Sequence, residues 1–258
     1  MDLCTVTNNK FIHNAINLAN SYKINSYNKN VYVYCFDMSV EQINILQQTY
    51  QDINFKFVPK IVDYAYDPTA FFYKAYAINN CIKISNDLIY SDATNVFNKY
   101  VDIKSYLEED ALFLPYNNQQ LTNQYWTTNR CFEKMNCKSA KIMPQYWAGF
   151  QVYLKTHENI NFIQEYYDYM TDAEIALPNT SVKNPDGLSY PCLEHRQDQS
   201  VYSLLIHKYF RHQKYNFIKQ QLFGDWTTFK VYDSSYKHDL ENCCLSSRES
   251  KFNVLRFL

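Results

Sequence analysis

Along residues 1–95, short apolar runs alternate with longer segments in which apolar side chains recur every three or four positions. The short runs have the length and the Val, Ile and Tyr content of buried strands, and they cover residues 3–7, 31–36, 54–58 and 87–90. The longer segments predict helices at residues 11–22, 39–50 and 67–84. Strands and helices that alternate with short connections indicate a parallel sheet with helices on both faces.

Polar residues with capping chemistry stand where these three helices are predicted to begin. Asn8 or Asn9 can cap the first helix, and Ser39 with Gln42 has the spacing of a capping box. Asp67 is followed by proline and predicts the N-cap of the third helix, because proline is favoured at the first helical position.

After residue 95 the pattern is less regular and predicts a mixture of elements. Helices are predicted near residues 100–109 and 129–135 and at 158–170. A last helix is predicted to begin within the segment 194–200 and to end at residue 210. Strands are predicted at residues 111–115, 146–154 and 215–218. A loop with two internal prolines covers residues 178–193. Because neither a repeat nor a linker divides the chain, we predict one domain over residues 1–258.

Composition and charge narrow the possible classes of function. The 25 basic and 26 acidic side chains balance, whereas a protein that binds duplex nucleic acid usually carries a concentrated basic face. Only 3 glycines are present, which excludes glycine-rich dinucleotide and Walker-type phosphate loops. A bound phosphate would therefore need a metal ion, a helix N-terminus or side chains.

Several features predict a cytoplasmic protein with reduced thiols. The 8 cysteines include no C-x-x-C pair that would indicate a metal site. The first residues lack an apolar run after a basic start, so we expect no signal peptide. No stretch approaches the ~18 apolar residues of a transmembrane helix.

Segments with several polar residues, 5–9 and 91–95, lie at the carboxyl ends of two of the predicted strands. The carboxyl ends of parallel strands share one edge of the sheet, where ligands of such sheets bind. Asp92 at this edge could hold a divalent cation that bridges two phosphates, or it could cap the following segment. Lys74 lies on the preceding helix among aromatic residues, either as a site residue or as a lysine whose stem packs on them.

Two later segments also carry candidate chemistry. Gly149 lies within a strand-like run, where glycine often marks the close approach of a backbone or ligand, and Trp147 could face an acceptor sugar. The alternative is a bulge with a core aromatic. In the polar segment 194–198, Asp198 could act as a base or orient a hydroxyl, and His195 and Arg196 could face phosphate. The alternative there is a solvated helix start.

In this order, three segments resemble glycosyltransferases of the GT-A fold. The sequence Y-S-D-A-T at residues 90–94 resembles their D-x-D region, and Y-W-A-G-F-Q-V-Y-L-K at residues 146–155 resembles the strand that follows it. E-H-R-Q-D-Q-S-V-Y-S-L-L at residues 194–205 is similar to their H-R-x-D-Q-S helix start, which small viral and bacterial members share. The resemblance spans roughly residues 1–210 and implies a Rossmann-like, mostly parallel sheet flanked by helices, which is an α/β fold.

The resemblance also assigns roles to individual residues. It implies a nucleotide-binding half at about residues 1–115 and an acceptor-binding half at about residues 116–258, with Asp92 and Asp198 as catalytic carboxylates. The nucleotide and donor residues would be Thr5, Thr7, Asn8, Lys74, Ser91, Asp92, Ala93 and Thr94. The acceptor residues would be Trp147, Gly149, His195, Arg196 and Gln199.

The D-x-D region departs from the family at its second acid, where Thr94 stands. One carboxylate holds Mn²⁺ or Mg²⁺ less firmly than two. Asp92 could therefore share a cation with His238, or it could bind a ribose hydroxyl instead. A divalent cation is accordingly a possible cofactor that the sequence does not require.

The resemblance implies a hexosyltransferase that moves a sugar from a nucleoside diphosphate donor, such as a UDP- or GDP-sugar, to a hydroxyl of a glycan or protein. The alternative is a non-catalytic GT-A-like module that binds a nucleotide or glycan, and the missing second acid favours it. We expect no nucleic-acid partner and no membrane span, and the host cytoplasm is the expected location if the protein is viral.

Overall fold

A computed structural model describes residues 1–25, 29–97, 122–177, 192–210 and 229–231 of the chain. Its strands are β1 (Asp2–Thr7), β2 (Val31–Cys35), β3 (Asn54–Phe57), β4 (Asp87–Ser91), β5 (Asn95–Phe97), β6 (Phe150–Leu154) and β7 (Phe229–Val231). Its α-helices are α1 (Ile12–Asn25), α2 (Val40–Thr49), α3 (Phe72–Ile84), α4 (Asn123–Trp126), α5 (Asn129–Lys134), α6 (His157–Met170), α7 (Ala173–Ala176) and α8 (Gln197–Phe210). A 3-10 helix covers Lys138–Ile142.

Five strands form the central sheet in the order β3-β2-β1-β4-β6. The first four run parallel to one another, and β6 pairs antiparallel with β4 at the edge. A separate antiparallel pair joins β5 to β7. The predicted α/β fold with a mostly parallel sheet is confirmed, and β1 and β4 are neighbours whose carboxyl ends share one edge.

The sheet separates two apolar clusters, which accounts for the alternation of side chains along its strands. On β4, Leu88 and Tyr90 belong to the cluster that contains residues of α3, α6 and α8. Ile89 between them belongs to the opposite cluster, with residues of α1 and α2. Successive strand residues point to opposite faces, so both faces of a strand buried in this way must be apolar.

The first two predicted helix starts agree with the structure. The Asn8 side chain accepts hydrogen bonds from the backbone N–H groups of Lys10 and Phe11, just before α1. Ser39 and Gln42 form the predicted capping box of α2, with each side chain bonded to the backbone of the other residue. These contacts join residues close in sequence, which is why the sequence predicts them.

The predicted start of the third helix is wrong, because α3 begins at Phe72 rather than after Asp67. Asp67 Oδ1 instead accepts hydrogen bonds from the N–H and hydroxyl of Thr69 in a separate turn. Phe71 has a left-handed backbone with φ of 56°, which interrupts the right-handed helical path.

The predicted strand 146–154 is likewise shorter in the structure, where β6 begins at Phe150 after a turn at residues 148–149. The predicted helices at 129–135 and 158–170 correspond to α5 and α6. The helix near 100–109 and the strands at 111–115 and 215–218 lie outside the described residues. Within the described part of the chain, no helix has the length and apolar character needed to cross a membrane.

Candidate functional site

Three charged side chains meet at the carboxyl edge of the sheet and form what we call the Lys74 triad. Lys74 Nζ on α3 lies 3.1 Å from Asp92 Oδ1, just after β4, and 2.6 Å from Asp198 Oδ2, in the first turn of α8. The side chains of Lys74 and Asp198 are 5% and 7% exposed, whereas that of Asp92 is 36% exposed. Asp92 is thus the member of the triad that solvent and ligands can reach.

A tight turn after β4 holds Asp92 in place. Its backbone N–H donates a hydrogen bond of 2.9 Å to the Gly149 carbonyl, and its own carbonyl accepts one of 3.0 Å from Asn95. The hydroxyl of Tyr90 donates to Asp92 Oδ1 at 2.8 Å. Since Tyr90 and Asp92 are two residues apart along an extended chain, they project to the same side and can make this bond.

Lys74 is buried among aromatic rings as well as carboxylates. Its Nζ lies 5.3 Å from the ring centroid of Phe71 and 5.5 Å from that of Tyr90, within the range of cation–π attraction. Burial by itself disfavours the ammonium, but the charges of Asp198 and Asp92 outweigh this cost and raise the pKa of Lys74. Lys74 is therefore an ammonium at every physiological pH.

Asp198 is the buried carboxylate of the triad. Burial raises its pKa, while the Lys74 ammonium opposes that rise and favours the ionised form. The preceding residue, Gln197, has a left-handed backbone with φ of 24°, as Phe71 has at the start of α3. Such conformations cost about 1–3 kcal/mol each in residues other than glycine and tend to cluster at functional sites. Both of these strained residues lie beside the triad.

The predicted nucleotide-binding residues of β1 are turned toward the protein. The side chains of Thr5 and Thr7 are buried, and the Thr7 hydroxyl donates to the carbonyl of Asn8. Thr5 Oγ1 has no hydrogen-bond partner in the part of the chain that the structure describes. Asn8 uses its side-chain oxygen to cap the turn before α1. Their role in nucleotide binding stays a prediction.

The neighbours of Asp92 in the predicted D-x-D-like turn are buried or half-buried. Ser91 is buried, and its hydroxyl accepts a hydrogen bond of 3.0 Å from the Asn95 side chain. Ala93 is buried in an apolar cluster, and Thr94 is half-buried. Within this turn, Asp92 is the residue that the structure connects to Lys74 and Asp198.

Gly149 lies directly against the Trp147 side chain. A Cβ atom at this position would lie 2.5 Å from the indole ring of Trp147, closer than packed atoms allow. The Gly149 carbonyl accepts hydrogen bonds from the Asp92 backbone and the Asn95 side chain. Trp147 is half-buried and packs against an apolar cluster. These contacts show Gly149 supporting the Asp92 turn, and its predicted contact with an acceptor remains a prediction.

The residues flanking Asp198 face other parts of the protein. His195 is buried, with Nε2 2.8 Å from the Ile175 carbonyl and Nδ1 accepting from the Thr128 backbone. The Arg196 guanidinium lies 3.9 Å from the ring centroid of Trp126. Gln199 donates to the side chain of Gln145 at 2.7 Å. These contacts tie α8 to its neighbours, and acceptor binding by His195, Arg196 and Gln199 stays a prediction.

The buried environment of His195 predicts a pH-dependent stability. Burial lowers the pKa of His195 to about 4 from its ordinary 6.5, although its bond with Ile175 acts in the opposite direction. The unfolded chain therefore takes up a proton at this position before the folded protein does. The contribution of the neutral, buried His195 to the stability of the fold is fully present above pH 6.5 and is lost as pH falls toward 4. We expect His195 to lower the free energy of unfolding by about 2 kcal/mol between pH 7 and pH 5.

Urea unfolding at both pH values would measure this loss in the wild type and in His195→Gln, whose amide does not titrate. His157→Gln, a change at an exposed histidine, provides the control. An identical pH dependence in the wild type and His195→Gln would contradict the prediction.

The residues present fit a divalent cation poorly. No group of three or more His, Cys, Asp and Glu side chains in the described ranges is arranged to hold a metal ion. Asp92 Oδ1 and Asp198 Oδ2 are both directed at the Lys74 ammonium. His238 lies outside the described residues, so the Asp92 and His238 pair stays a prediction.

The site also contains two residues that are not among the predicted site residues, namely Tyr90 and Phe71. Tyr90 was detectable, because strand alternation places it on the same side as Asp92. Phe71 was detectable too, because side chains three positions apart on the predicted helix are neighbours, whereas its left-handed backbone was not.

Comparisons with known proteins give only distant matches. No family model matches the chain, and no curated protein matches it. The apo structure of the bifunctional glycosyltransferase WbbM is 10% identical with a TM-score of 0.48, covering 81% of this chain and 38% of that one. The glycosyltransferase GlyE of Streptococcus pneumoniae TIGR4 is 12% identical with a TM-score of 0.47, covering 85% and 45%.

The galactosyltransferase LgtC, solved with donor and acceptor sugar analogs, is 12% identical with a TM-score of 0.48, covering 80% of this chain and 70% of that one. This chain therefore spans less than half the length of WbbM and GlyE. We assign no activity from similarities this distant.

Proposed function

We propose that this protein is a glycosyltransferase that moves a sugar, for example a hexose, from a nucleoside diphosphate donor to a hydroxyl of a glycan or protein. The Lys74 triad is the observation that carries the proposal. The triad joins Asp92 and Asp198, which come from two of the three segments that resemble glycosyltransferases, to Lys74 on the helix between β3 and β4. It also lies at the carboxyl edge of a mostly parallel sheet, where such folds bind ligands.

In this proposal, Asp92 contacts the donor directly. Its bonds with Lys74 and Tyr90 both use Oδ1, so Oδ2 is the oxygen that can accept a hydrogen bond from a ribose or sugar hydroxyl. The partial exposure of Asp92 supports this role. Tyr90 and Lys74 hold the carboxylate in one orientation, which lowers the entropy lost when a ligand binds.

In this proposal, Lys74 offsets part of the negative charge of Asp92 and Asp198 beside the reacting group. During transfer, the bond between the anomeric carbon and the diphosphate oxygen breaks, and its electron pair remains on the diphosphate. The acceptor oxygen forms the new bond to the anomeric carbon, and its proton passes to the released diphosphate. By offsetting the two carboxylates, the fixed ammonium reduces the repulsion that the charge developing on the diphosphate would otherwise meet.

Asp198 supports the ammonium in this proposal. Its carboxylate is buried and lies 2.6 Å from Lys74 Nζ, which fits a residue that positions Lys74. The role suggested by the resemblance, as a base or as a group that orients the acceptor hydroxyl, remains a prediction.

Nucleotide release tests the proposed function. The purified chain would be incubated with UDP- and GDP-hexoses, with and without glycan acceptors, and the free nucleoside diphosphate would be measured. We expect slow release from one donor and faster release once a suitable acceptor is present. Absence of both binding and release for every donor would contradict the proposal.

The second candidate function is a binding module without transferase activity. Thr94 favours it, because Thr94 replaces the second acid of the D-x-D pattern. Nucleotide binding without release from any donor would support the module over the enzyme.

A further inference from the structure

We infer that the resident cation of this site is the Lys74 ammonium and that the Lys74 triad does not take up a divalent metal ion. The inference concerns the triad itself and stands whether or not the protein transfers sugars. Its consequence for the donor, which is nucleotide binding without added metal, rests on the proposed function.

The first observation is the direction of the carboxylate oxygens. Asp92 Oδ1 and Asp198 Oδ2 lie 3.1 and 2.6 Å from Lys74 Nζ, so the two acids converge on one point. A divalent cation bound by the same two oxygens would need to lie roughly 2.0–2.6 Å from each of them. The ammonium already occupies that position, and two positive groups would repel each other strongly there.

The second observation is the enclosure of the ammonium. Lys74 is buried, and the rings of Phe71 and Tyr90 lie within cation–π distance of its Nζ. Mg²⁺ gives up its bound waters reluctantly and usually keeps several of them in protein sites. A pocket walled by two aromatic rings suits a lysine side chain better than a hydrated metal ion.

The third observation is the small number of acids at the exposed side of the triad. The Asp92 side chain is 36% exposed there, but the position of a second acid in the D-x-D pattern is taken by Thr94. Among the described residues, no cluster of metal-ligating side chains includes Asp92. A dication bound by a single exposed carboxylate would be held weakly, because charge count and ligand number set the affinity of such sites.

A Mn²⁺ titration of three forms of the full chain tests the inference. Thermal unfolding and the electron paramagnetic resonance signal of free Mn²⁺ would be followed for the wild type, Lys74→Ala and Lys74→Met. We expect no binding and no thermal shift in the wild type. Lys74→Ala vacates the space between two carboxylates and should gain Mn²⁺ binding, with a rise in Tm of about 5 °C at a hundredfold excess over Kd.

Lys74→Met is the matched control, because its side chain removes the charge but fills much of the same space. We expect Lys74→Met to show no Mn²⁺-dependent rise in Tm. If Lys74→Ala folds and gains no Mn²⁺ binding, the ammonium is not what excludes the metal, and the inference fails. If Lys74→Ala does not fold, the titration of the wild type tests the inference instead. Mn²⁺ binding by the wild type that disappears in Asp92→Asn would overturn the inference. Absence of Mn²⁺ binding by the wild type would support it.

Nucleotide binding separates this inference from the proposed function. UDP and GDP would be titrated into the wild type in EDTA and again in Mn²⁺, and we expect Kd values that agree within about twofold. Binding that occurs only with Mn²⁺ would overturn the inference and leave the proposed function standing. Absence of nucleotide binding in both conditions would count against the proposed function. The Mn²⁺ titration would still test whether the Lys74 triad binds a metal ion.

Discussion

Lys74→Met is expected to lower the free energy of unfolding by about 3–5 kcal/mol, the usual cost of removing one partner from a buried ion pair. The variant leaves the Asp198 carboxylate buried without its counter-charge. Asp198 can respond by taking up a proton, so we expect a smaller loss at pH 5 than at pH 8. Urea unfolding at both pH values measures this difference.

Lys138→Met is the matched control for this substitution. Lys138 also faces an acid, since its Nζ lies 3.5 Å from Glu133, but the Lys138 side chain is 68% exposed. Water already solvates this surface pair, so we expect a far smaller change in unfolding free energy. A Lys74→Met protein as stable as the Lys138→Met protein would contradict the burial of charge that defines the Lys74 triad.

The double variant Lys74→Met/Asp198→Asn completes the test. Removing both charges avoids an unpaired buried carboxylate, so the double variant should be more stable than Lys74→Met alone. The coupling energy obtained from this cycle measures the ion pair separately from the packing of the lysine stem. Additive effects of the two substitutions would show that Lys74 and Asp198 do not interact.

Asp92→Asn is expected to reduce nucleotide release by about 10²-fold or more, the scale of losing one charged or hydrogen-bonding group in an active site. Asparagine keeps the shape of the side chain and can still accept the Tyr90 hydrogen bond. It removes the negative charge beside Lys74 and weakens the acceptor that we assign to the donor's hydroxyl. The Lys74 ammonium keeps Asp198 as a partner, so the fold should persist.

Stability and activity should therefore separate in this variant. Because Asp92 is 36% exposed, we expect its substitution to change the unfolding free energy by less than about 1 kcal/mol. Asp87→Asn is the matched control, since Asp87 begins the same strand that Asp92 follows and lies at its opposite end. Unchanged release in Asp92→Asn, or an equal loss in Asp87→Asn, would contradict the assigned site.

Much of the fold was predictable from sequence because its determinants are local. The parallel strands β1, β2 and β4 have apolar residues on both faces, and the helices between the strands have apolar residues at helical spacing. The capping box at Ser39 and Gln42 depends on residues three positions apart. The start of α3 was not predictable in the same way, because Phe71 adopts a left-handed backbone at an ordinary aromatic residue.

The candidate site was predictable in its parts. Asp92, Lys74 and Asp198 were each identified from their own segment, either by position at a strand end or by resemblance. Local sequence did not distinguish them from His195, whose neighbours in sequence are also polar. In the structure, Asp198 reaches Lys74, whereas both His195 nitrogens contact backbone groups. Residues so close together in sequence take different roles because a helix start projects its side chains in different directions.

The order of strands and helices before residue 92, the carboxyl edge where polar residues collect and the acids found there could all be recognised from the sequence alone. Periodicity and capping act over a few residues, so they can be recognised without knowing the fold. The position of the Lys74 ammonium between Asp92 and Asp198 emerges only when the chain is folded. That arrangement depends on the packing of α3 against both β4 and α8, because an ion pair requires close approach of atoms, which no spacing along the chain specifies.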